Sequence, residues 1–308
     1  MNTVAPAQAR LASRAWVGLV CALVGAVAFS GKAVIIKLAY RHGVDAITLL
    51  GIRMLMALPM FVLIGWWAGR DRPPLDGRER LAVLVLGFTG YYLSSTLDFL
   101  GLTYVSASLE RLILYLMPTI VLLLNRFAFG RRVAVGQWVA LAVSYAGVMV
   151  VFGHELTLEG RNVVLGSLLV FGSAFSYSIY MIGTGEWVRR IGTLRLTGWT
   201  STVACALCVL QFLVVRPLSA AVVAEPVLWL SLLNATACTV APVLLVAMAV
   251  ERIGASTTTQ LGLVGPVSTI LLSVVFLGEA FTPWVAAGTG LVLAGVWLLS
   301  RVRARALG

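Results

Sequence analysis

Residues 107–130, ASLERLILYLMPTIVLLLNRFAFG, and residues 255–278, ASTTTQLGLVGPVSTILLSVVFLG, decide the fold when one is laid over the other. At an offset of 148, Pro266 falls on Pro118, Gly278 on Gly130, Ser256 on Ser108 and Ala255 on Ala107. The register extends outward without a gap: Ala294-Gly295-Val296 falls on Ala146-Gly147-Val148, and Gly166 on Gly18. Such a period is far too long for a solenoid unit. Each half also holds five apolar stretches of membrane-crossing length. A repeat with an odd number of crossings traverses the bilayer in opposite senses in its two copies. That is the inverted-repeat design of secondary transporters, which hold substrate near the midplane between the halves.

The 308-residue chain is 60% hydrophobic and 11% charged, with a mean hydropathy of +0.98. Soluble domains carry about 25% charged residues. Spans are predicted at 15–38, 46–67, 81–101, 104–125, 134–152, 163–187, 194–215, 227–249, 255–277 and 282–300. Each is long enough for a hydrocarbon core of about 30 Å at about 1.5 Å per residue. The predicted fold class is an all-α polytopic membrane protein, with ten transmembrane helices as two inverted five-helix repeats. These repeats occupy 15–152 and 163–300, between cytoplasmic termini at 1–14 and 301–308. The apolar run after Arg10 and Arg14 is too long for a signal peptide and lacks a small-residue cleavage site before Lys32, so it reads as a retained first helix.

The net charge of +11 is spread unevenly. With the N-terminus inside, cytoplasmic segments hold 16 arginines, while outer loops hold three, Arg41, Arg161 and Arg216. The positive-inside rule then predicts two cytoplasmic termini. Basic charge of this kind serves topology and attraction to anionic lipid, and no basic face or stacking platform suits a nucleic acid. Trp16, Trp66, Trp67, Trp138 and Trp187 near inner ends, with Trp229 and Trp284 near outer ends, form an aromatic belt. Cys21, Cys205, Cys208 and Cys238 lie within spans and read as small packing residues; no metal site or disulfide framework is implied. Arginine outnumbers lysine 21 to 2, which fits a GC-rich bacterial genome and a bacterial inner (plasma) membrane.

Five charges fall inside spans: Lys32, Arg53, Asp98, Glu110 and Arg111. One unpaired charge at the bilayer centre costs about 2.5–3.5 kcal/mol on an insertion scale, so these face inward and pair, all in the outer half. They sum to one excess positive charge. They serve either as a substrate and proton site or as a salt-bridge network that holds helices in register. Helical spacing puts Tyr91, Ser94 or Ser95, and Asp98 on one face of span 3, and Arg111, Tyr115 and Pro118 on one face of span 4. Glu110 is about 100° from Arg111, so the two serve different partners. Span 6 carries Ser173, Ser176 or Tyr177, and Tyr180. Span 8 carries Asn234, Cys238 and Pro242. Span 9 opens with Thr257, Thr258, Thr259 and Gln260. These stripes read as the lining of a cavity, with charges in the outer half and hydroxyls and an amide in the inner half.

Pro118 and Pro266 fall mid-span at equivalent places, where each removes a backbone hydrogen bond and kinks its helix. Paired interruptions in two halves point to a transport site. Ala140, Ser144 and Gly147 in span 5, and Ala286, Gly290 and Ala294 in span 10, are small-residue faces suited to close packing of the two halves or of a homodimer.

Residues 101–125, GLTYVSASLERLILYLMPTIVLLLN, and 253–282, IGASTTTQLGLVGPVSTILLSVVFLGEAFT, resemble the fourth and ninth spans of the drug/metabolite transporter superfamily, EamA type. SYAGVMVVFG (144–153) and LAGVWLLSR (293–301) resemble its fifth and tenth. The resemblance implies a central cavity lined by spans 1, 3, 4, 6, 8 and 9, and export of amino acids, other metabolites or drugs. One departure stands out: Gly278-Glu279 matches the family's glycine–glutamate pair, but the first half reads Gly130-Arg131.

The expected function is a secondary active transporter, an exporter of a small metabolite such as an amino acid or amphiphilic compound. It is expected to be proton-coupled through Glu110 or Asp98, by alternating access. Candidate substrate contacts are Lys32, Tyr91, Ser95, Asp98, Glu110, Arg111, Tyr115, Tyr177, Tyr180, Asn234 and Gln260. An alternative is an exchanger or importer of an anionic metabolite, suggested by the excess positive charge. An enzyme is disfavoured, because His42 and His154 lack metal-ligand spacing and no nucleophile–base pair is evident. No cofactor is expected, and without a phosphate-binding loop this chain hydrolyses no ATP.

Overall fold

A computed structural model describes residues 4–130, 134–159 and 161–307, with side chains at 16–127, 130, 134–156, 162–254, 257, 258 and 261–302. Among the described residues, nine helices are long and apolar enough to cross a membrane. They are spans 1 to 8, Trp16–Tyr40, Ala46–Gly69, Gly77–Gly101, Ala107–Phe127, Val135–Leu156, Asn162–Ile191, Thr193–Val215 and Glu225–Gly254, and span 10, Pro283–Val302. Span 9 is helical over 255–261 and again from Val264, broken like span 4. Gly254 is non-helical at φ 80°, and after a turn at Gly262-Leu263 the apolar helix covers only Val264–Leu277.

Local chemistry sets the ends. Asp45 caps span 2 through the backbone N–H groups of Ile47 and Thr48. Asp76 and Glu79 form a reciprocal capping box at span 3. Ser106 caps span 4. Spans 4 and 9 both end on a left-handed glycine, Gly130 at φ 62° and Gly278 at φ 72°, a conformation that a Cβ disfavours.

The repeat is physical. Span 1 packs on span 8, and its mate span 6 packs on span 3; spans 5 and 10, and spans 2 and 7, pair across the halves. A Cβ on Gly18 would meet Arg252 and Ile253, and one on Gly166 would meet Tyr104 and Val105; these are the same contacts, 148 residues apart. Ser30 Oγ shares its proton between Ala26 O (2.7 Å) and Gly265 O (2.9 Å). Its mate Ser178 lies 2.7 Å from Ala174 O and 3.5 Å from Met117 O. Spans 3 and 8 each contain a π-helical turn, Phe88–Leu93 and Thr236–Val240, again at that offset. Such bulges recur at functional sites.

Both predicted proline kinks appear as a turn just before the proline, at Tyr115-Leu116 and at Gly262-Leu263. Pro266 has no N–H for Gly262 O, which takes the Gly265 N–H (2.9 Å) and the Tyr115 hydroxyl (2.6 Å) instead.

Between the halves, the small-residue face of span 5 is packed and the expected one of span 10 is not. Gly147 and Ser144 of span 5 do meet span 10, but at Gly288, Val292 and Gly295. Ala286, Gly290 and Ala294 are exposed, and nothing lies within 4 Å of a Cβ built on Gly290. Span 10 carries two small stripes, and the one with two glycines admits the closer backbone approach.

Candidate functional site

Span 1 carries Lys32 into the interior, where Nζ meets Asp98 Oδ2 of span 3 at 2.6 Å and Glu110 Oε1 of span 4 at 3.9 Å. Glu110 is fully buried, Asp98 nearly so, and their carboxyl groups adjoin. Apart from each other, neither Glu110 oxygen nor Asp98 Oδ1 meets a hydrogen-bond partner. One ammonium thus serves two carboxyls contributed by different helices.

Arg111, one residue further along span 4, turns away as the helical angle requires. Its Nη2 lies 3.2 Å from Ser30 Oγ, and its guanidinium faces the rings of Phe29 (5.1 Å) and Tyr115 (5.4 Å). Gly265 makes room for this: a Cβ there would stand 2.5 Å from the Tyr115 hydroxyl and 2.9 Å from Arg111 Nη2. Arg111 and Tyr115 of the first half therefore sit on the proline break of the second.

Arg53 is also buried, at 4% exposure. Its Nη2 donates to Thr239 Oγ1 at 2.7 Å, and Thr239 donates to Asn234 O at 2.8 Å inside the π-helical turn of span 8. Asn234 Nδ2 donates to Lys32 O at 3.1 Å. Spans 1, 2 and 8 are joined by this chain of bonds. Arg53 Nε and Nη1, Ser231 Oγ and Asn234 Oδ1 have no hydrogen-bond partner. Thr239 had no signal in the sequence beyond its neighbourhood to Asn234.

Two turns along span 3 from Asp98, Tyr91 packs with Tyr177 and Tyr180, ring centroids 5.2–6.0 Å apart. Gly90 lets Tyr180 lie against span 3, since a Cβ would come within 2.3 Å of its ring. Ser94 bonds Ser173 at 2.9 Å, and Ser176 donates to Thr89 O at 2.7 Å. Ser95, the other serine weighed for that face, is half-buried beside them. The side chain of Gln260 lies outside the described residues. Of the candidate residues, Lys32, Asp98 and Glu110 come together, Arg111 and Tyr115 form a second group, and the three tyrosines a third. Cys205 and Cys208 are buried thiols, and Cys205 Sγ touches Met54 Sδ at 3.6 Å. Among the described residues no three metal-ligating side chains converge.

The model of the EamA-like transporter family matches residues 16–153 and again 164–301. The chain belongs to this family. Its EamA relatives include the uncharacterized transporter YcbK of Bacillus subtilis (strain 168), 30% identical over 85% of this chain and 86% of that one. Two others from that organism are the uncharacterized transporter YdfC, 26% identical over 72% and 71%, and the uncharacterized transporter YyaM, 24% identical over 80% and 82%. A crystal structure of a protein 20% identical has the same fold at a TM-score of 0.62, over 94% of this chain and 98% of that one. This EamA protein is a multi-pass membrane transporter of a bacterial family, not an enzyme.

Proposed function

We propose that the transporter exports a small metabolite, an amino acid or amphiphilic compound, in exchange for protons, by alternating access around Lys32, Asp98 and Glu110. The observation that carries this reading is the pair of adjoining, buried carboxyls on one ammonium. The trio is charge-neutral when one carboxyl holds a proton. A substrate amine that displaces Lys32 from Asp98 changes that balance, which couples proton release to substrate arrival. The candidate contacts Tyr91, Tyr177 and Tyr180 line the inner continuation of the path, and Asn234 stands beside Lys32.

Purified protein in liposomes tests it. A screen of amino acids and small amphiphiles should find a substrate whose accumulation follows an imposed pH gradient. Glu110→Gln should fold and still exchange substrate, but lose gradient-driven accumulation. Accumulation that persists in both Glu110→Gln and Asp98→Asn overturns proton coupling through these residues. Arg111 Nε and two Arg53 nitrogens without partners favour a second reading, an anionic metabolite as exchange substrate. Selective exchange of carboxylate or phosphate compounds, weakened by Arg111→Gln, would establish that reading instead.

A further inference from the structure

Directly above the charge trio, the end of span 4 is gripped from both halves. Glu279, in the connection after span 9, accepts the backbone N–H groups of Ala107 (2.8 Å) and Ser108 (3.2 Å) and the Ser108 hydroxyl (2.7 Å). Ser108 Oγ also lies 3.0 Å from Ser273 Oγ of span 9. Glu155 of span 5 takes the Ser106 hydroxyl and, at 3.3 Å, its N–H. A carboxylate on the first N–H groups of a helix is favoured both by hydrogen bonding and by the helix dipole. At the other end of the same contact, Arg41, between spans 1 and 2, donates to Phe276 O (3.4 Å) and Leu277 O. These are the last carbonyls of span 9, before left-handed Gly278. Spans 1, 4 and 9, which surround Lys32 and Glu110, are therefore tied together on one face of the membrane.

The sequence repeat gives the residues at the counterpart positions. Ala107-Ser108 recurs as Ala255-Ser256, and Arg41 recurs as Arg189, but Glu279 has Arg131 at its counterpart position. A guanidinium accepts no N–H bond, so the counterpart position of Glu279 carries no carboxylate.

We propose that Glu279 and Arg41 are a latch that closes the face assigned as outer by the arginine count, and that its release admits water and substrate to the trio from that side. This rests on the reading of the trio as the transport site.

The test uses cysteine-free full-length protein in intact cells, with Ile36→Cys as reporter. Ile36 is buried one turn from Lys32 on the same helical face, toward the latch. Its labelling by an impermeant maleimide should be slow, and should rise roughly tenfold with Glu279→Gln or Arg41→Gln, as expected for loss of charge-assisted bonds. Arg216→Gln, at a different outer ion pair, should leave it unchanged. Ser108→Cys with Ser273→Cys should form a disulfide that blocks both labelling and transport until it is reduced. Unchanged labelling in both latch variants, or transport undiminished by the disulfide, overturns the latch. Faster labelling together with gradient-driven transport intact in both Glu110→Gln and Asp98→Asn would uphold the latch and overturn the site reading.

Discussion

Lys32 reaches Asp98 at 2.6 Å but Glu110 only at 3.9 Å, so its removal harms one carboxylate more than the other. A buried partner left without its counter-charge costs about 3–5 kcal/mol, whereas removing the pair together costs less. Lys32→Ala should therefore lower the melting temperature in detergent more than Lys32→Ala combined with Asp98→Ala. A double variant less stable than the worse single one would show that the pair is not coupled. The sequence named all three residues of this trio, because charges are rare in apolar spans and stand out. It gave Arg53 no named partner; the structure buries Arg53 against Thr239 and the Phe99 ring, 5.2 Å from its centroid.

Among the elements, span 2 offers the clearest pH dependence. Burial pushes the Asp45 carboxyl up, but hydrogen bonds from the Thr48 hydroxyl and N–H, the charge of Arg216 and the Ile47 N–H outweigh it, and the net shift is downward. A lowered value means that the cap stabilises the helix above the usual carboxylate range, near pH 4, and loses that effect as pH falls through the folded-state value. Asp45→Ala should cost about 1 kcal/mol at neutral pH, and the gap from wild type should close in melts taken under more acidic conditions. A gap that persists would put the contribution in packing instead. Spans 5 and 10 give a contrasting pair. A Cβ at Gly147 would lie 2.6 Å from Gly288 O and 2.8 Å from Val292 N, and backbone cannot yield. Gly147→Ala should destabilise by about 1–3 kcal/mol, while Gly290→Ala should stay within about 0.5 kcal/mol of wild type. Equal effects on thermal stability would refute the assigned interface.

For the whole molecule, the 16-to-3 arginine count predicts cytoplasmic termini. With the four cysteines replaced, Ser219→Cys should react with impermeant maleimide in intact cells, and Asp76→Cys only after permeabilisation. Labelling of Asp76→Cys from outside would reverse the topology, and with it the face that Glu279 closes. The fold was legible from the chain alone to an unusual depth, because an inverted repeat writes each structural necessity twice: the proline breaks, the left-handed glycines at 130 and 278, and the Gly18 and Gly166 contacts. Membrane insertion adds a second strong signal, since apolar length and arginine placement are read one span at a time and need no knowledge of partners.

Partner choice needed the tertiary structure. Periodicity gives each helix its faces, but two stripes on span 10 two residues apart stand about 200° from each other, and both are small. Only close approach to Gly147 selects the one with Gly288. In the same way, the sequence registered Glu279 as half of a repeated pair, but its carboxylate on the first turn of span 4 joins residues 172 apart. Local propensity does not encode a contact at that separation; it exists only once ten helices have packed.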